Sequence, residues 1–232
     1  MKKKSLLKLI IVFLLFFFGA LIIQLMACEV LNYDVNKLNS SQSLIITAIG
    51  DFILAIILIG MYFKSLKEDF IKFKKNFNKN IDIGIKYWIL GLVVMIVSNI
   101  VIGLFISQAK ANNEDSVQEL IKGSSALALL TIGVIGPIIE EITFRKTFRD
   151  LIKNNTLFVL LSGITFGAMH VLLSLSSAWD LFYIIPYSSL GIAFGKIYQE
   201  SDTIFTSMIM HMFHNTVLTG LSIIGAGVIL WM

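Results

Sequence analysis

Residues 84–107 read GIKYWILGLVVMIVSNIVIGLFIS, and after Lys86 no charged side chain interrupts the run. A helix rises about 1.5 Å per residue, so about 20 apolar residues match the hydrocarbon thickness of a bilayer. The stretch therefore reads as a transmembrane helix. Comparable runs cover 5–27, 43–63, 122–143, 156–175 and 180–198. A last apolar stretch, 203–232, holds no Asp, Glu, Lys or Arg after Asp202. It reads as one long helix or as two short ones broken near Gly220. The expected fold is all-α: a polytopic transmembrane helix bundle of seven or eight spans, with residues 1–232 forming a single integral membrane domain.

Composition excludes the soluble alternative. The chain is 56% hydrophobic and 15% charged, where soluble domains carry about 25% charged residues. The net charge of +4 sits in short clusters between apolar runs, a topology signal and no nucleic-acid footprint. Lys2, Lys3 and Lys4 precede the first run. Lys64, Lys67, Lys72, Lys74, Lys75 and Lys79 fill a 64–83 connection, and Arg145, Lys146, Arg149 and Lys153 follow the fourth run. The alternate connections are poorer: 28–42 has only Lys37, 108–122 has Lys110 and Lys122, and 176–179 has none. Positive charge favours the cytoplasmic side, so the N-terminus and the basic connections are expected there.

Two segments keep alternatives. The first run could be a signal peptide, and Leu25-Met26-Ala27-Cys28 resembles a weak lipoprotein cleavage box. Its length exceeds the about 7–15 residues of a signal core, so a retained helix is expected. Phe70, Phe73 and Phe77 recur at helical spacing among lysines. They fit either a basic amphipathic helix on an anionic leaflet or a solvated basic loop. Cys28 is the only cysteine, so no intrachain disulfide can form.

Ionisable residues within apolar runs are costly and mark functional candidates. Glu140 and Glu141 end the run Gly133–Ile139, and Arg145 lies four residues after Glu141. Positions four apart share a helical face, so Glu141 and Arg145 can pair while Glu140 points about 100° away. Pro137, one turn earlier, removes a backbone donor and can kink the helix, opening room near Glu140. Taken alone, these charges could simply mark the end of a span. The three histidines, His170, His211 and His214, all lie in apolar segments. Phe166 and His170 are four apart, as are His211 and Asn215. A single histidine in such a helix is more often structural, but polar clusters on three separate segments point to a site.

A carboxylate and a histidine can deprotonate a water molecule. A second histidine and an amide can donate to the oxygen that becomes negative as water attacks a peptide carbonyl. Alternatively, Glu140, His170 and His211 could bind zinc. No H-E-x-x-H or G-x-S-x-G motif occurs. Asp51 sits midway along the second run, where it could face a water-filled cavity or pair with a base; a structural role is expected.

The set Glu140-Glu141-x-x-x-Arg145, Phe166-x-x-x-His170 and His211-x-x-x-Asn215 resembles, in order, the three motifs of the CAAX-protease and bacteriocin-processing (CPBP, or Abi) family, which includes the type II CAAX prenyl endopeptidases. Phe144 before the arginine, Gly191–Tyr198, and Ser207 ahead of His211 add to the likeness, which spans about 122–220. Lys146 stands where the family often has glycine. The resemblance implies an intramembrane endopeptidase, of glutamic or metallo type. Glu140 and His170 would activate water, His211 and Asn215 would stabilise the oxyanion, and Glu141, Arg145 and Phe166 would support them. His214 has no place in the pattern and is expected to be a bystander. No cofactor is implied firmly; zinc stays an alternative. Partners would be membrane lipids and a peptide or protein substrate, prenylated or of signal or bacteriocin type, in a bacterial cell membrane. Two other classes compete: a non-proteolytic scaffold or bacteriocin self-immunity protein of the same fold, and a transporter or proton relay, against which the lack of an inverted repeat counts.

Overall fold

A computed structural model describes residues 2–106 and 111–225, which are helical with short connections and no strand. Lipid offers no hydrogen-bond partners, so a spanning backbone must satisfy itself within helices. The helices are α1 (Lys3–Val30), α2 (Ser40–Lys75), α3 (Phe77–Phe105), α4 (Asn112–Gly123), α5 (Ser125–Leu151), α6 (Asn155–Leu172), α7 (Ile184–Ser201) and α8 (Ile204–Ile223). Among the described residues, α1, α2, α3, α5 and α6 are long and apolar enough to cross a membrane. The 18-residue α7 and 20-residue α8 match a bilayer in length, but their polar side chains dilute the apolar signal. Large apolar side chains cover the outer faces: Leu104 is 74% exposed and Phe105 81%.

Three segments bear on the sequence expectations: two decide between open alternatives, and one departs from what was expected. The 64–83 segment is helical, interrupted only at Asn76 (φ −121°, ψ 34°). Phe73 is buried against Phe77 and Phe205, with ring centroids 5.4 and 6.4 Å away, while Phe70 and Phe77 themselves stay exposed. Arg145 and Lys146, expected in a basic loop, lie buried inside α5. The last stretch runs unbroken through Gly220 to Ile223; residues 226–232 lie outside the described part.

Two compact units form. The first takes the chain to Leu66, Val117–Leu151, and the segment from Met212; the second takes Lys67–Ser116 and Ile152–His211. In the first, α1 ends on Asn32 in the left-handed region (φ 55°). Tyr33 N donates to Cys28 O and Asn32 N to Glu29 O, the paired bonds of a Schellman stop. Phe13 and Phe16 of α1 meet the buried Phe144 ring edge-on, with centroids 5.7 and 5.3 Å away. The first run is thus a packed helix of this unit.

In the second unit α6 and α7 approach through small residues. A Cβ on Gly163 would sit 2.5 Å from Ile192 N, and one on Gly191 would sit 2.5 Å from Gly163 O. Gly163/Gly167 and Gly191/Gly195 have the four-residue spacing that lets membrane helices touch backbone to backbone. Asn154 caps α6, its side chain accepting from Leu157 N at 2.9 Å. Asp202 ends α7 in the left-handed region (φ 50°), and its carboxylate meets Lys72 Nζ at 2.7 Å.

Candidate functional site

Helix α5 is not regular. Its segments Thr131–Ile135 and Glu141–Lys146 are π-helical, a wider winding often found at functional positions. Gly136 N donates to Thr131 O and Thr147 N to Ile142 O, each five residues back. Pro137 has no N–H, so it cannot serve the Gly133 carbonyl, and Gly136 has already turned away from that of Ile132. Both carbonyls are served by α8 instead: Asn215 Nδ2 donates to Ile132 O at 3.2 Å and Thr216 Oγ1 to Gly133 O at 3.3 Å. Gly133 permits this approach, since a Cβ there would sit 2.7 Å from Thr216 Oγ1. The room that Pro137 was expected to open is occupied by donors from another helix. Asn215 spends one amide N–H on this anchor and keeps the second for another acceptor.

The two glutamates have different surroundings. Glu141 and Arg145 are both 0% exposed, and Oε1 lies 3.3 Å from Nη1. Glu140 is half-buried in the same turn, and its charge interacts with Arg145 and with Asp51 of α2. Asp51 therefore stands near an acid, where the sequence offered a water-filled cavity or a basic partner. Behind them, Thr147 Oγ1 donates to Ile142 O at 2.9 Å and lies 2.8 Å from Tyr62 OH.

The second unit gathers the histidine motif residues. His170 Nδ1 lies 2.9 Å from Phe166 O. A carbonyl only accepts, so Nδ1 carries the hydrogen and the neutral ring presents its lone pair at Nε2. Phe166 packs on this imidazole at 4.4 Å, and Tyr187 stacks on it at 5.0 Å and 24°. His211 is 2% exposed. It stacks on Phe194 at 4.5 Å and 21° and meets the Phe166 edge at 5.6 Å. Phe166 thus touches both imidazoles. Tyr187 and Phe194, seven residues apart on one face of α7, hold the two rings; their roles were not read from the sequence, although that spacing was visible.

The motif residues are therefore distributed as follows. Glu140, Glu141, Arg145 and Asn215 belong to the first unit, and Phe166, His170 and His211 to the second. His211 and Asn215 are one turn apart on α8. His214 is buried and lies in the first unit. Among the described residues no three His, Cys, Asp or Glu side chains are gathered as a metal ion requires.

The comparisons bear on the same region. Residues 122–217 match the profile of the family described as type II CAAX prenyl endopeptidase Rce1-like. The chain is 26% identical over 110 residues to "Putative membrane peptidase YdiL" of Bacillus subtilis strain 168, covering 46% of this chain and 41% of that protein. It is 26% identical over 203 residues to an uncharacterized protein of Mycoplasma capricolum, covering 80% of this chain and 57% of that one. The UPF0177 protein YxdF of Lactococcus lactis is 23% identical over 143 residues, with 59% and 77% covered. The matches thus span about half the length of the first two relatives. No solved structure matches the chain at a significant level. The three motifs lie in order inside this matched segment, so residues 122–217 resemble the type II CAAX prenyl endopeptidase Rce1-like family.

Proposed function

We propose that the chain is an intramembrane endopeptidase that hydrolyses a peptide bond in a small or membrane-associated substrate. The observation that carries this reading is the tautomer of His170, locked by Phe166 O at 2.9 Å so that Nε2 can accept a proton. In the proposed reaction, Glu140 and His170 take a proton from water as its oxygen bonds to the scissile carbonyl carbon. His211 and the second N–H of Asn215 donate to the resulting oxyanion. The C–N bond then breaks, and the stored proton passes to the leaving amine. Glu141 and Arg145, paired and fully buried, fix the turn that carries Glu140. Support comes from the family match of this segment and from the name given to the Bacillus relative.

For substrate we propose a prenylated C-terminal peptide or a signal or bacteriocin peptide, in a bacterial cell membrane with the N-terminus cytoplasmic. Water activation by glutamate and histidine is preferred to zinc. Loss of activity with chelator and recovery with zinc would reverse that preference. The test is a peptide-processing or immunity assay on wild type, Glu140→Gln and His211→Ala at matched membrane expression. Hydrolysis requires loss in both variants; retention in both would make the chain a scaffold or immunity protein.

A further inference from the structure

At the end of α6 the chain turns through Ala178–Tyr183, a 3₁₀ segment opened by a capping box between Ser177 and Asp180. In a 3₁₀ helix residues three apart eclipse one another, and the segment uses this to make two faces. Trp179 and Phe182 are 47% and 41% exposed and stack with centroids 6.3 Å apart. Asp180 and Tyr183, the next pair, are buried. They line a small pocket of about 10 Å³ together with Asn112, Ser174, Tyr187 and the candidate base His170.

The pocket wall is built rather than incidental. Asp180 Oδ2 accepts from Ser176 N at 3.0 Å, Ser176 Oγ at 3.1 Å, Ser177 N at 2.8 Å and Asn112 Nδ2 at 3.0 Å. Asn112 Nδ2 also reaches Ser174 O at 3.1 Å, which ties the start of α4 to the end of α6. Size and lining select the occupant. Pockets for organic ligands run to about 300–1,000 Å³, whereas a single water needs only about 10–15 Å³ of such space and several polar partners. The outer face of α6 offers no such route, since Leu160, Leu161, Ile164 and Leu172 are exposed and apolar. Paired outward aromatics are the usual side chains of a membrane–water boundary.

We propose that this pocket is the water entry of His170. The Asp180–Asn112 clamp holds it open, and Trp179 and Phe182 set it at the bilayer surface. What the water does at His170 rests on the peptidase reading; that it arrives there does not.

The experiment is deuterium exchange at the imidazole C2 position, read by mass spectrometry on the full chain in lipid nanodiscs. It is run on wild type and on a Cys28→Ala, Ser174→Cys variant before and after a bulky hydrophilic maleimide is attached. His170 is expected to exchange several-fold faster than His211, and the adduct to slow His170 by about threefold or more without changing His211. The same adduct should lower turnover. Exchange at His170 as slow as at His211, or unchanged by the adduct, overturns the proposal. The unmodified variant reports on folding. If the exchange pattern holds but wild type cleaves nothing, the peptidase reading fails and the water entry stands.

Discussion

Glu140 and Glu141 are adjacent in the chain and opposite in circumstance, and their substitutions should separate cleanly. Glu141→Gln leaves the fully buried Arg145 without its ion pair, a loss of about 3–5 kcal/mol. The expected result is a marked fall in melting temperature in detergent. Glu140→Gln removes a half-buried carboxylate and should leave melting nearly unchanged while lowering processing by about 10²–10⁴-fold. Equal stability losses in the two variants would mean that the two carboxylates share one structural role. The Glu141–Arg145 pair and the Phe166–His170 contact were legible from the sequence, because both follow from helical spacing alone. The stacking of Phe194 on His211 was not, because it depends on how α7 and α8 pack together, which periodicity does not encode.

At the scale of the helices, glycine has two different uses, and stability measurements distinguish them. A Cβ on Gly167 would sit 2.2 Å from Ser188 Oγ and 2.5 Å from Ser188 N, whereas Gly60 has nothing within 4 Å. Gly167→Ala is therefore expected to cost about 1–3 kcal/mol by overpacking. Gly60→Ala should be neutral or stabilise by up to about 1 kcal/mol through helix propensity. Thermal unfolding of both variants checks the contrast. Helix positions were largely legible, because long apolar runs admit little else in lipid. The π-helical segments of α5 were not, since one extra residue per turn barely disturbs a run that is apolar on every side. Pro137 was the one visible sign of irregularity there.

For the whole molecule, length and charge work together. The 36 residues of α2 make a helix of about 54 Å against a hydrocarbon core of about 30 Å. Its apolar part ends at Phe63, so the lysine-rich end from Lys64 to Lys75 extends beyond the core. Reporter fusions at the Asn76 break should behave as cytoplasmic, and an outward reporter there would invert the proposed orientation. The sequence located these charges but left helix and loop open. Counting lysines gives no distinction between a loop and a helix that continues past the membrane. Phe73 and Phe205 supply the packing that keeps this stretch helical.

Pro137 has a consequence best put in the language of epistasis. By declining to donate, it leaves the Gly133 carbonyl to Thr216, so the identity of one side chain sets what another can be exchanged for. Pro137→Ala offers the Gly133 carbonyl a competing backbone donor, and Thr216→Val withdraws the side-chain donor that serves it now. Each should impair processing, but the double variant should fall short of the summed effects, as double-mutant cycles show for directly linked groups. Lineages or engineered chains that lose the proline are then expected to tolerate changes at position 216 that this one does not.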